Sequence, residues 1–522
     1  MIRPPVGPDE VGASWSMPAP VLGWNARDAL SQMKPGDAIQ LDNFFPGTTS
    51  VDARPGSITR ATIPAGQVIR TLMGLAKADG THQRFAASAT GIYDVTAGGA
   101  IAAIGSAATT GEWQYVQINV GGTSFLWCCA GDGVNKSRIY NSTTDAWLEL
   151  DTATTPALTG VVSEDIFNVS LWKYRLILCE RNSLKFHYGP LNSVGGAFSA
   201  FDLGQVFKLG GYLVATANWS IDAGDGADDM FVAITSEGEV AIYQGTDPSD
   251  VSTFALVGVY TMSKPVGRRC FTQVGGDLSI ITEQGMWPLS KALLSATIDK
   301  RVALTDRVQS AFNSYYKIYS EHFGWQAVLL PKGPALLVNI PLGNSVSYQF
   351  VMNILTGAWC RFKNWNAEAL LVLDGKLYFA VGNTVKEGWI GTADDDASIL
   401  AVAATAYSYG PSRARGKKIK LVRPVFKVNS AIKLALQLSS NFQDPRAIAP
   451  SLSSPTGDSL WDVARFGSSV WGGASVMSQQ WRAVRHSPGR AFSLQIGLQL
   501  KGVTASWSST DFIGEVSKLS LA

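Results

Sequence analysis

One pattern of apolar and polar residues recurs between about residues 71 and 405. A short apolar segment is followed by a polar turn and then by a second apolar segment that carries an aromatic residue. Clear examples are FAASATGIYDV (85–95), FVAITSEGEVAIYQG (231–245), LSIITEQGMWPLS (278–290) and LLVLDGKLYFAVG (370–382). The last contains Asp374-Gly375, a dipeptide favoured in tight hairpin turns. The pattern predicts many short antiparallel strands and a mainly β protein.

Strands at this spacing fit a sandwich, a β-solenoid or a propeller. A propeller blade takes roughly 40–50 residues, so residues 71–405 have room for about seven blades, with six or eight as alternatives. A single sandwich is too small for this length, which favours the propeller. The WD and kelch repeat signatures are absent from the sequence.

One segment departs from this pattern. In residues 299–319, Leu304, Val308, Phe312 and Tyr315 or Tyr316 recur three to four positions apart, which predicts an amphipathic helix packed on the β body. Thr305 is the expected N-cap of that helix. A partner site that receives this helix in a groove is the less favoured alternative.

The two ends of the chain differ from the middle. Pro-Gly pairs at 35–36, 46–47 and 55–56 predict tight turns, with proline at the first central position and a positive-φ glycine at the second. Residues 1–70 are therefore expected to form an irregular, extended arm. Residues 406–522 contain alternating segments at 431–439, 491–502 and 517–522, typical of half-buried strands. A Trp-rich loop at 460–481, with Trp461, Trp471 and Trp481, lies between them.

Composition and cysteine usage indicate a protein made in a reducing compartment. No apolar stretch is long enough to span a membrane, and MIRPPVGPDE at the start lacks the apolar core of a secretory signal. The five cysteines have no CxxC spacing and are expected to be reduced and buried. Cys128 and Cys129 should point to opposite faces of a strand. We expect assembly in the cytoplasm and no cofactor.

Charge is distributed unevenly along the chain. Residues 411–522 contain 15 Lys and Arg against 5 Asp and Glu, whereas residues 1–410 contain 28 against 36. Six basic residues fall within a run that contains no acid: Arg413, Arg415, Lys417, Lys418, Lys420 and Arg423. This basic run has three interpretations: phosphate binding, a charged strand edge that prevents aggregation, or a face that docks on an acidic protein surface. Because no aromatic residue interrupts it, docking is favoured over nucleic-acid binding.

A search for catalytic motifs is mostly negative. The four histidines form no HExxH motif, no GxSxG occurs, and GPSRARGKK (410–418) has the wrong spacing for a phosphate-binding loop. The acidic segments 222–229 and 393–398 do not follow the EF-hand order, so solvated loops are favoured over weak calcium sites. We therefore predict that the protein is not an enzyme. A glycan-binding or glycan-hydrolysing propeller that attaches to a host is the alternative, since the sequence contains ample carboxylates.

The segment GWNARDALSQMKPGDAIQLDNFFPGTTSVDARPG (23–56) resembles the opening of the tail nozzle proteins of short-tailed bacteriophages. These are also called tail tubular protein B or packaged-DNA stabilisation proteins. The shared features are a Gly-x-Asn element, an Arg-Asp pair, the LDNFFP core and the RPG turn. SKPVGRRCFTQVGGDLSIITEQGMWPLS (263–290), NILTGAWCRFKNWNAEALLVLDGKLYFAVG (353–382) and the Trp-rich tail extend the resemblance over most of the chain.

The resemblance implies a β-propeller (71–405) on a smaller β platform built from both chain ends, the arm 1–70 and residues 406–522. It also implies a virion tail protein that forms a hexameric ring around the DNA channel, beneath the adaptor ring of the portal. Such a nozzle retains packaged DNA and conducts it during ejection, and tail fibres or tailspikes are candidate further partners. Residues expected at the platform or at a subunit interface are Trp24, Asn25, Arg27, Asp42, Asn43, Phe44, Phe45 and Arg54.

A channel that conducts DNA must not grip its phosphates, so acidic or polar propeller loops are expected to line it. The boldest candidate is the 222–229 loop, with Asp222, Asp225, Asp228 and Asp229. The basic run is expected toward the platform, at a protein interface.

Overall fold

The computed structural model describes residues 11–100, 110–220, 229–250, 252–293, 302–430, 432–443, 476–478, 480–484 and 488–517. The protein is mainly β, as the sequence pattern predicts. Asp222, Asp225 and Asp228 of the candidate channel loop, and Trp461 and Trp471 of the Trp-rich loop, lie outside the described residues.

The strands are short and follow one another closely. Those up to residue 261 are β1 Val11–Pro18, β2 Gly23–Trp24, β3 Asp37–Asp42, β4 Phe44–Pro46, β5 Val51–Ala53, β6 Ser57–Thr62, β7 Thr71–Ala76, β8 His82–Ala87, β9 Ile92–Asp94, β10 Gly99–Ala100, β11 Gln114–Val120, β12 Thr123–Cys129, β13 Arg138–Asn141, β14 Ala146–Glu149, β15 Leu158–Thr159, β16 Ile166–Trp172, β17 Arg175–Glu180, β18 Lys185–Tyr188, β19 Gly196–Ala197, β20 Ser199–Asp202, β21 Leu213–Trp219, β22 Met230–Thr235, β23 Glu239–Gln244 and β24 Ala255–Thr261.

The later strands include the longest of those described. They are β25 Phe271–Val274, β26 Asp277–Thr282, β27 Gly285–Pro288, β28 Gln326–Leu330, β29 Ala335–Gly343, β30 Val346–Asn353, β31 Trp359–Phe362, β32 Ala369–Leu373, β33 Lys376–Val381, β34 Thr384–Gly388, β35 Ile399–Thr405, β36 Lys417–Val428, β37 Lys433–Ser440, β38 Val476–Ser478, β39 Arg482–Ala483, β40 Phe492–Leu500 and β41 Ala505–Val516. The α-helices are α1 Leu289–Leu293 and α2 Gln309–Tyr319. Short 3-10 helices span Ser163–Asp165, Gly267–Arg269 and Asp306–Val308.

The chain divides into two compact units. Unit one comprises the described residues within Met1–Ile58, Phe350–Lys363 and Trp389–Ala522, and unit two those within Thr59–Gln349 and Asn364–Gly388. Both chain ends thus belong to unit one together with an internal segment, Phe350–Lys363. These limits differ from the boundaries at 70/71 and 405/406 that the change in sequence pattern suggests.

Unit one contains two sets of paired strands. In the first, the long strands β36 and β41 pair antiparallel, and β1 and β5 also pair with β41. In the second, β3 pairs parallel with β31 and antiparallel with β35, which continues through β40 to β37. The arm therefore contributes strands to both sets, which is how an irregular segment becomes part of a folded core.

Unit two is mainly a succession of small antiparallel sheets, with parallel pairing only between β15 and β19 and between β6 and β10 among the described strands. In chain order they are β7-β8-β9, β11-β12-β13-β14, β16-β17-β18-β20, β21-β22-β23-β24, β25-β26-β27, the pair β28-β29, and a last sheet in which β32, β33 and β34 are extended by β6 and β10. The hairpins predicted at 85–95, 231–245, 278–290 and 370–382 are confirmed.

Neighbouring sheets of unit two pack through their first strands. Contacts join β7 to β11, β11 to β16, β16 to β21, β25 to β28, β28 to β32, and β32 back to β7. The 3-10 helix Gly267–Arg269, just before β25, contacts β21. Buried side chains fill the gaps, as where Leu72 and Tyr93 of the first sheet meet Leu371 and Tyr378 of the last. The last sheet of unit two therefore packs against its first.

The helix predicted over 299–319 is shorter than expected. It spans Gln309–Tyr319 after the 3-10 turn Asp306–Val308, with Val308 and Phe312 fully buried. The prediction that Thr305 caps it is wrong, because the helix begins later. The Thr305 hydroxyl instead accepts a hydrogen bond from the Met286 N–H and donates one to Gln309 Oε1.

The cysteines are buried, as predicted. Cys128 and Cys129 lie on opposite faces of β12, in two different apolar clusters. Burial raises the pKa of Cys129, of Cys179 and of Cys270 to about 12, so these thiols are poor nucleophiles at neutral pH.

The Pro-Gly pairs of the arm serve different purposes. Only Gly36 has the positive φ expected of a turn glycine, at 97°. Gly56 is needed for space instead, because a Cβ at this position would lie 1.8 Å from the Ala393 carbonyl oxygen. The backbone N–H of Gly56 also donates to the Gly391 carbonyl, so the arm cannot move away without losing that bond.

We expect Gly56→Ala to destabilise the protein by at least about 2 kcal/mol, since neither backbone can yield to the added methyl group. Gly12→Ala is the matched control, because nothing lies within 4 Å of the Cβ it would add. It should change the free energy of unfolding by no more than about 1 kcal/mol. Urea denaturation of both variants measures the difference, and equal stabilities would contradict the close contact.

Candidate functional site

The first candidate residues of the arm form a turn held by side-chain amides. Asn25 Oδ1 accepts from the backbone N–H groups of Arg27 and Asp28, and Asn25 Nδ2 donates to Asp37 Oδ2 at 3.0 Å. Trp24 is buried beside this turn and meets Phe350 edge-on at 5.0 Å. The Gly-x-Asn element and the Arg-Asp pair are thus used inside unit one.

Asp42 is the centre of a buried ion-pair group. Its carboxylate accepts from Arg361 Nε at 2.8 Å and Nη2 at 3.1 Å, and from Lys363 Nζ at 2.8 Å. Burial alone would raise the pKa of Asp42, but Arg361 and Lys363 outweigh burial and hold the pKa below its ordinary value. The Arg361 guanidinium also lies over the Trp24 ring, 5.0 Å from its centroid. Asp42 therefore attaches the arm to the internal segment of unit one.

A second network begins at the next residue. Asn43 has a left-handed φ of 56°, and its Oδ1 accepts from Arg54 Nε at 2.9 Å and from the Lys363 backbone N–H at 2.8 Å. The Arg54 side chain is fully buried and forms a two-pronged pair with Asp394, with Nη1–Oδ1 at 3.1 Å and Nη2–Oδ2 at 2.6 Å. Since removal of the Asp394 carboxylate would leave the fully buried Arg54 without its ion pair, these residues stabilise the fold of unit one.

Most candidate interface residues are therefore enclosed within unit one. Trp24, Asn25, Asp42, Asn43, Phe44 and Arg54 are buried, and Phe45 is half-buried against the edge of Trp389. Arg27, with a side chain 42% exposed, is the most accessible of this set. A role for these residues between subunits stays a prediction.

The basic run lies on and just before β36. Three of its six side chains bind acceptors of the same chain. Lys417 is buried, and its Nζ donates to the carbonyl oxygens of Arg415 and Arg490. Lys420 pairs with Glu515, and Arg423 pairs with Asp511 at 2.7 Å. Burial lowers the pKa of Lys417. The run is thus less basic at its surface than the sequence suggests.

The other three residues of the run have no acidic partner among the described residues. Within the described part of the chain, Arg413, Arg415 and Lys418 form no ion pair, and Arg413 lies over the Tyr409 ring at 4.5 Å. Arg413 and Lys418 are exposed. A docking role would rest on these three. Of the candidate channel loop, only Asp229 is described, and its carboxylate lies 3.7 Å from Lys173 Nζ.

Unit two contains a cavity of about 510 Å³. None of the sequence motifs considered above predicts it. Its lining comes from several successive sheets and includes Glu112, Phe167, Tyr212, Arg268, Arg269 and Phe323. The two arginines sit on the 3-10 helix Gly267–Arg269. The signal in the sequence was the consecutive arginine pair in VGRRC, which follows a glycine with φ of 65°.

Arg268 and Arg269 join neighbouring sheets through carbonyl oxygens. Arg268 donates to the carbonyls of Ala130 at 2.5 Å, Glu112 at 2.9 Å and Phe167 at 3.1 Å. Arg269 Nη2 donates to Thr71 Oγ1 at 2.9 Å and to the Trp113 carbonyl at 2.7 Å. Each guanidinium also lies over a phenylalanine ring, Arg268 over Phe167 and Arg269 over Phe323.

The cavity has a mixed electrostatic character. Burial, reinforced by the charge of Arg268, lowers the pKa of Arg269 to about 10, so Arg269 remains cationic at neutral pH. Burial also lowers the pKa of Arg268. Burial raises the pKa of Glu112, against the opposing effect of Arg268. Glu321 also lines the cavity. The cavity therefore offers cations, carboxyl groups and aromatic faces to a small ligand.

Comparisons with known proteins identify no family. No family model and no curated protein matches the sequence. Among solved structures, the chain is similar to crystal structures of BBS1N in complex with ARL6DN, soaked with mercury or with lead. The TM-score is 0.30 for both, with 16% and 14% identity, over 45% and 46% of this chain and 73% and 72% of those chains. A likeness of this size carries no argument about fold or function.

No described helix is both long and apolar enough to cross a membrane. Across the same described ranges, no three His, Cys, Asp or Glu side chains are grouped so as to hold a metal ion.

We expect Asp42→Asn to destabilise the protein at neutral pH by about 3 kcal/mol, because Arg361 and Lys363 lose their buried partner. Asp52→Asn is the matched control, since Asp52 is exposed on the adjacent strand β5 and should have little effect. The two variants and the wild type are compared by urea denaturation.

The same pair of variants has a defined pH dependence. The pKa of Asp42 is lower in the folded than in the unfolded state, so its contribution is fully present above the ordinary Asp pKa and is lost as the pH falls through the folded value. The difference between wild type and Asp42→Asn should therefore shrink only below about pH 4. A difference that vanished between pH 5 and 7 would contradict the assignment.

Proposed function

We propose that this chain is a structural component of a short phage tail, the ring-shaped nozzle below the portal adaptor that retains packaged DNA and conducts it during ejection. The observation that carries the proposal is the buried network of the arm. The LDNFFP and RPG residues that support the resemblance, Asp42, Asn43 and Arg54, bind residues 361–363 of a second resembling stretch. The residues that this chain has in common with the tail nozzle proteins are therefore residues that stabilise unit one.

The finer architecture belongs to the same proposal. Unit two is a β-propeller in which each small sheet is one blade, giving about seven blades. Support comes from the packing of successive sheets, which at the step from β21 to β25 is made by the 3-10 helix Gly267–Arg269, and from the packing of β32 on β7. The last sheet also contains β6, a strand from the N-terminal side of the propeller, which ties the two ends of the blade series together. Unit one is the platform.

Assembly into a ring requires a surface that a neighbouring copy can cover. The edge strand β24 supplies one candidate, because Leu256, Val257 and Val259 are all exposed along it. An apolar edge strand left open promotes aggregation, so a neighbour that covers it would remove a liability. The partners of the proposal are further copies of this chain in a hexamer, the adaptor ring and DNA passing without sequence readout.

We expect the purified protein, alone or mixed with adaptor rings, to form six-fold rings in negative-stain electron microscopy. In virions, an antibody against the chain should label the tail just below the head. Labelling at fibre tips, with a monomer at all concentrations, would contradict the nozzle.

Docking is tested by reversing the three unpaired basic residues, Arg413→Glu, Arg415→Glu and Lys418→Glu together. We expect the fold to persist and attachment to heads to fall at least tenfold, since charge complementarity governs docking. Reversal of three exposed lysines of unit two, Lys185, Lys317 and Lys376, matches the charge change as a control. Normal attachment with altered DNA retention would instead assign the run to DNA.

A second candidate function is a glycan-binding or glycan-hydrolysing propeller for host attachment. The observation in its favour is the cavity of unit two, which is large enough for a sugar and is lined by Glu112 and Glu321. Release of reducing sugars from host envelope glycans, lost in Glu112→Gln, would favour this candidate over the nozzle.

A further inference from the structure

The cavity of unit two contains two adjacent cations that lack carboxylate partners. No Asp or Glu oxygen among the described residues lies within ion-pair distance of Arg268 or Arg269. Their protein partners are carbonyl and hydroxyl oxygens, which carry only partial charge. Glu112 acts electrostatically on both arginines and Asp132 acts on Arg268, but neither carboxylate lies within ion-pair distance. Two half-buried, adjacent cations without a direct ion pair favour the entry of an anion.

Arg269 has donors to spare. A guanidinium has five N–H groups, and on Arg269 only Nη2 has acceptors among the described residues. The Nε and Nη1 atoms have no acceptor among the described residues and are not among the fully enclosed atoms that lack a partner. Arg269 lines the cavity, and it is through these two donors that a ligand there would be bound.

The guanidinium is also held in place before any ligand arrives. Nη2 is fixed by Thr71 and Trp113, and the plane of the group lies over Phe323, 4.7 Å from the ring centroid. A fixed fork of donors matches the two oxygens of a carboxylate or phosphate and loses little side-chain entropy on binding. The aromatic rings of Tyr212 and Trp325 in the lining add apolar surface for the body of a ligand.

We propose that this cavity binds a small ligand that carries an oxyanion, a carboxylate or a phosphate group, and that Arg269 is the principal contact through Nε and Nη1. Arg268 adds a second positive charge from the next position in the chain. The site does not depend on ring assembly, so it can be tested whether or not the nozzle proposal holds.

The test is calorimetric titration of the full chain with inorganic phosphate, with glucuronate and with glucose as the neutral match to glucuronate. Loss of Trp fluorescence gives a second readout, since Trp325 lines the cavity. The variants are Arg269→Lys, which keeps the charge but not the fork, and Arg60→Lys, the same change at an arginine that pairs with Glu387 and is not in the lining. Circular dichroism establishes that each variant is folded.

We expect phosphate or glucuronate to bind where glucose does not, with affinity reduced roughly tenfold or more in Arg269→Lys and unchanged in Arg60→Lys. Whichever of the two anions binds more tightly identifies the source of the oxyanion. Absence of binding by both at millimolar concentration would overturn the proposal, as would equal affinity in Arg269→Lys.

Arg269 also holds Thr71 and Trp113, so a second variant keeps the test decisive if Arg269→Lys does not fold. Ser320→Trp places a large ring at a half-buried position of the lining and leaves both arginines intact. We expect it to abolish anion binding. An anion that bound this variant as tightly as the wild type would lie outside the cavity, and the proposal would be wrong.

Discussion

Unit one depends on the requirement that buried charges be paired. Arg54 has no exposed side-chain surface, and its charge is balanced by Asp394, which is 340 positions away in the chain. Asp42 has the same relation to Arg361, over 319 positions. Removing one member of such a pair costs several kcal/mol, so the arm, the internal segment and the region near residue 394 must come together for any of them to be stable. This constraint explains how a segment interrupted by three Pro-Gly pairs becomes part of a core.

In unit two, the arginines of the 3-10 helix Gly267–Arg269 are held by a weaker set of partners. The sheets of this unit pack through buried apolar clusters, and the arginines of the 3-10 helix add hydrogen bonds from that helix to Ala130, Phe167 and Trp113. Carbonyl oxygens satisfy the geometry of the guanidinium but do not neutralise its charge. Stability there comes mainly from apolar packing between sheets, and the charge is left as a property of the cavity.

The sequence predicts local features well and long-range partners poorly. Asp374-Gly375 identifies its hairpin because a two-residue turn depends on the residues within it. The segment 350–363 has the same pattern as the other hairpins, so nothing local could place it in unit one. The basic run shows the related difficulty: the charges of Lys420 and Arg423 are visible in the sequence, but their partners Glu515 and Asp511 are set by the register of β36 against β41. Gly56 was expected to supply a positive φ, whereas its need for space depends on a backbone that lies far away in the chain.

The two kinds of arginine in this protein show how function can be separated from fold. Arg54 uses Nε, Nη1 and Nη2 on acceptors of unit one, including a carboxylate, so its charge and its geometry are both satisfied. On Arg269, only Nη2 has hydrogen-bond acceptors among the described residues. No carboxylate of the described residues forms an ion pair with it. A residue of the first kind stabilises the fold, and its substitution should lower the free energy of unfolding whether or not a ligand is bound. A residue of the second kind has hydrogen-bond donors and a charge that are not paired within the described chain. Another molecule can bind to them, which is the property expected of a binding site. The arm residues on which the family resemblance rests are of the first kind, so their role in this structure is to stabilise unit one. A ligand site is expected among residues of the second kind.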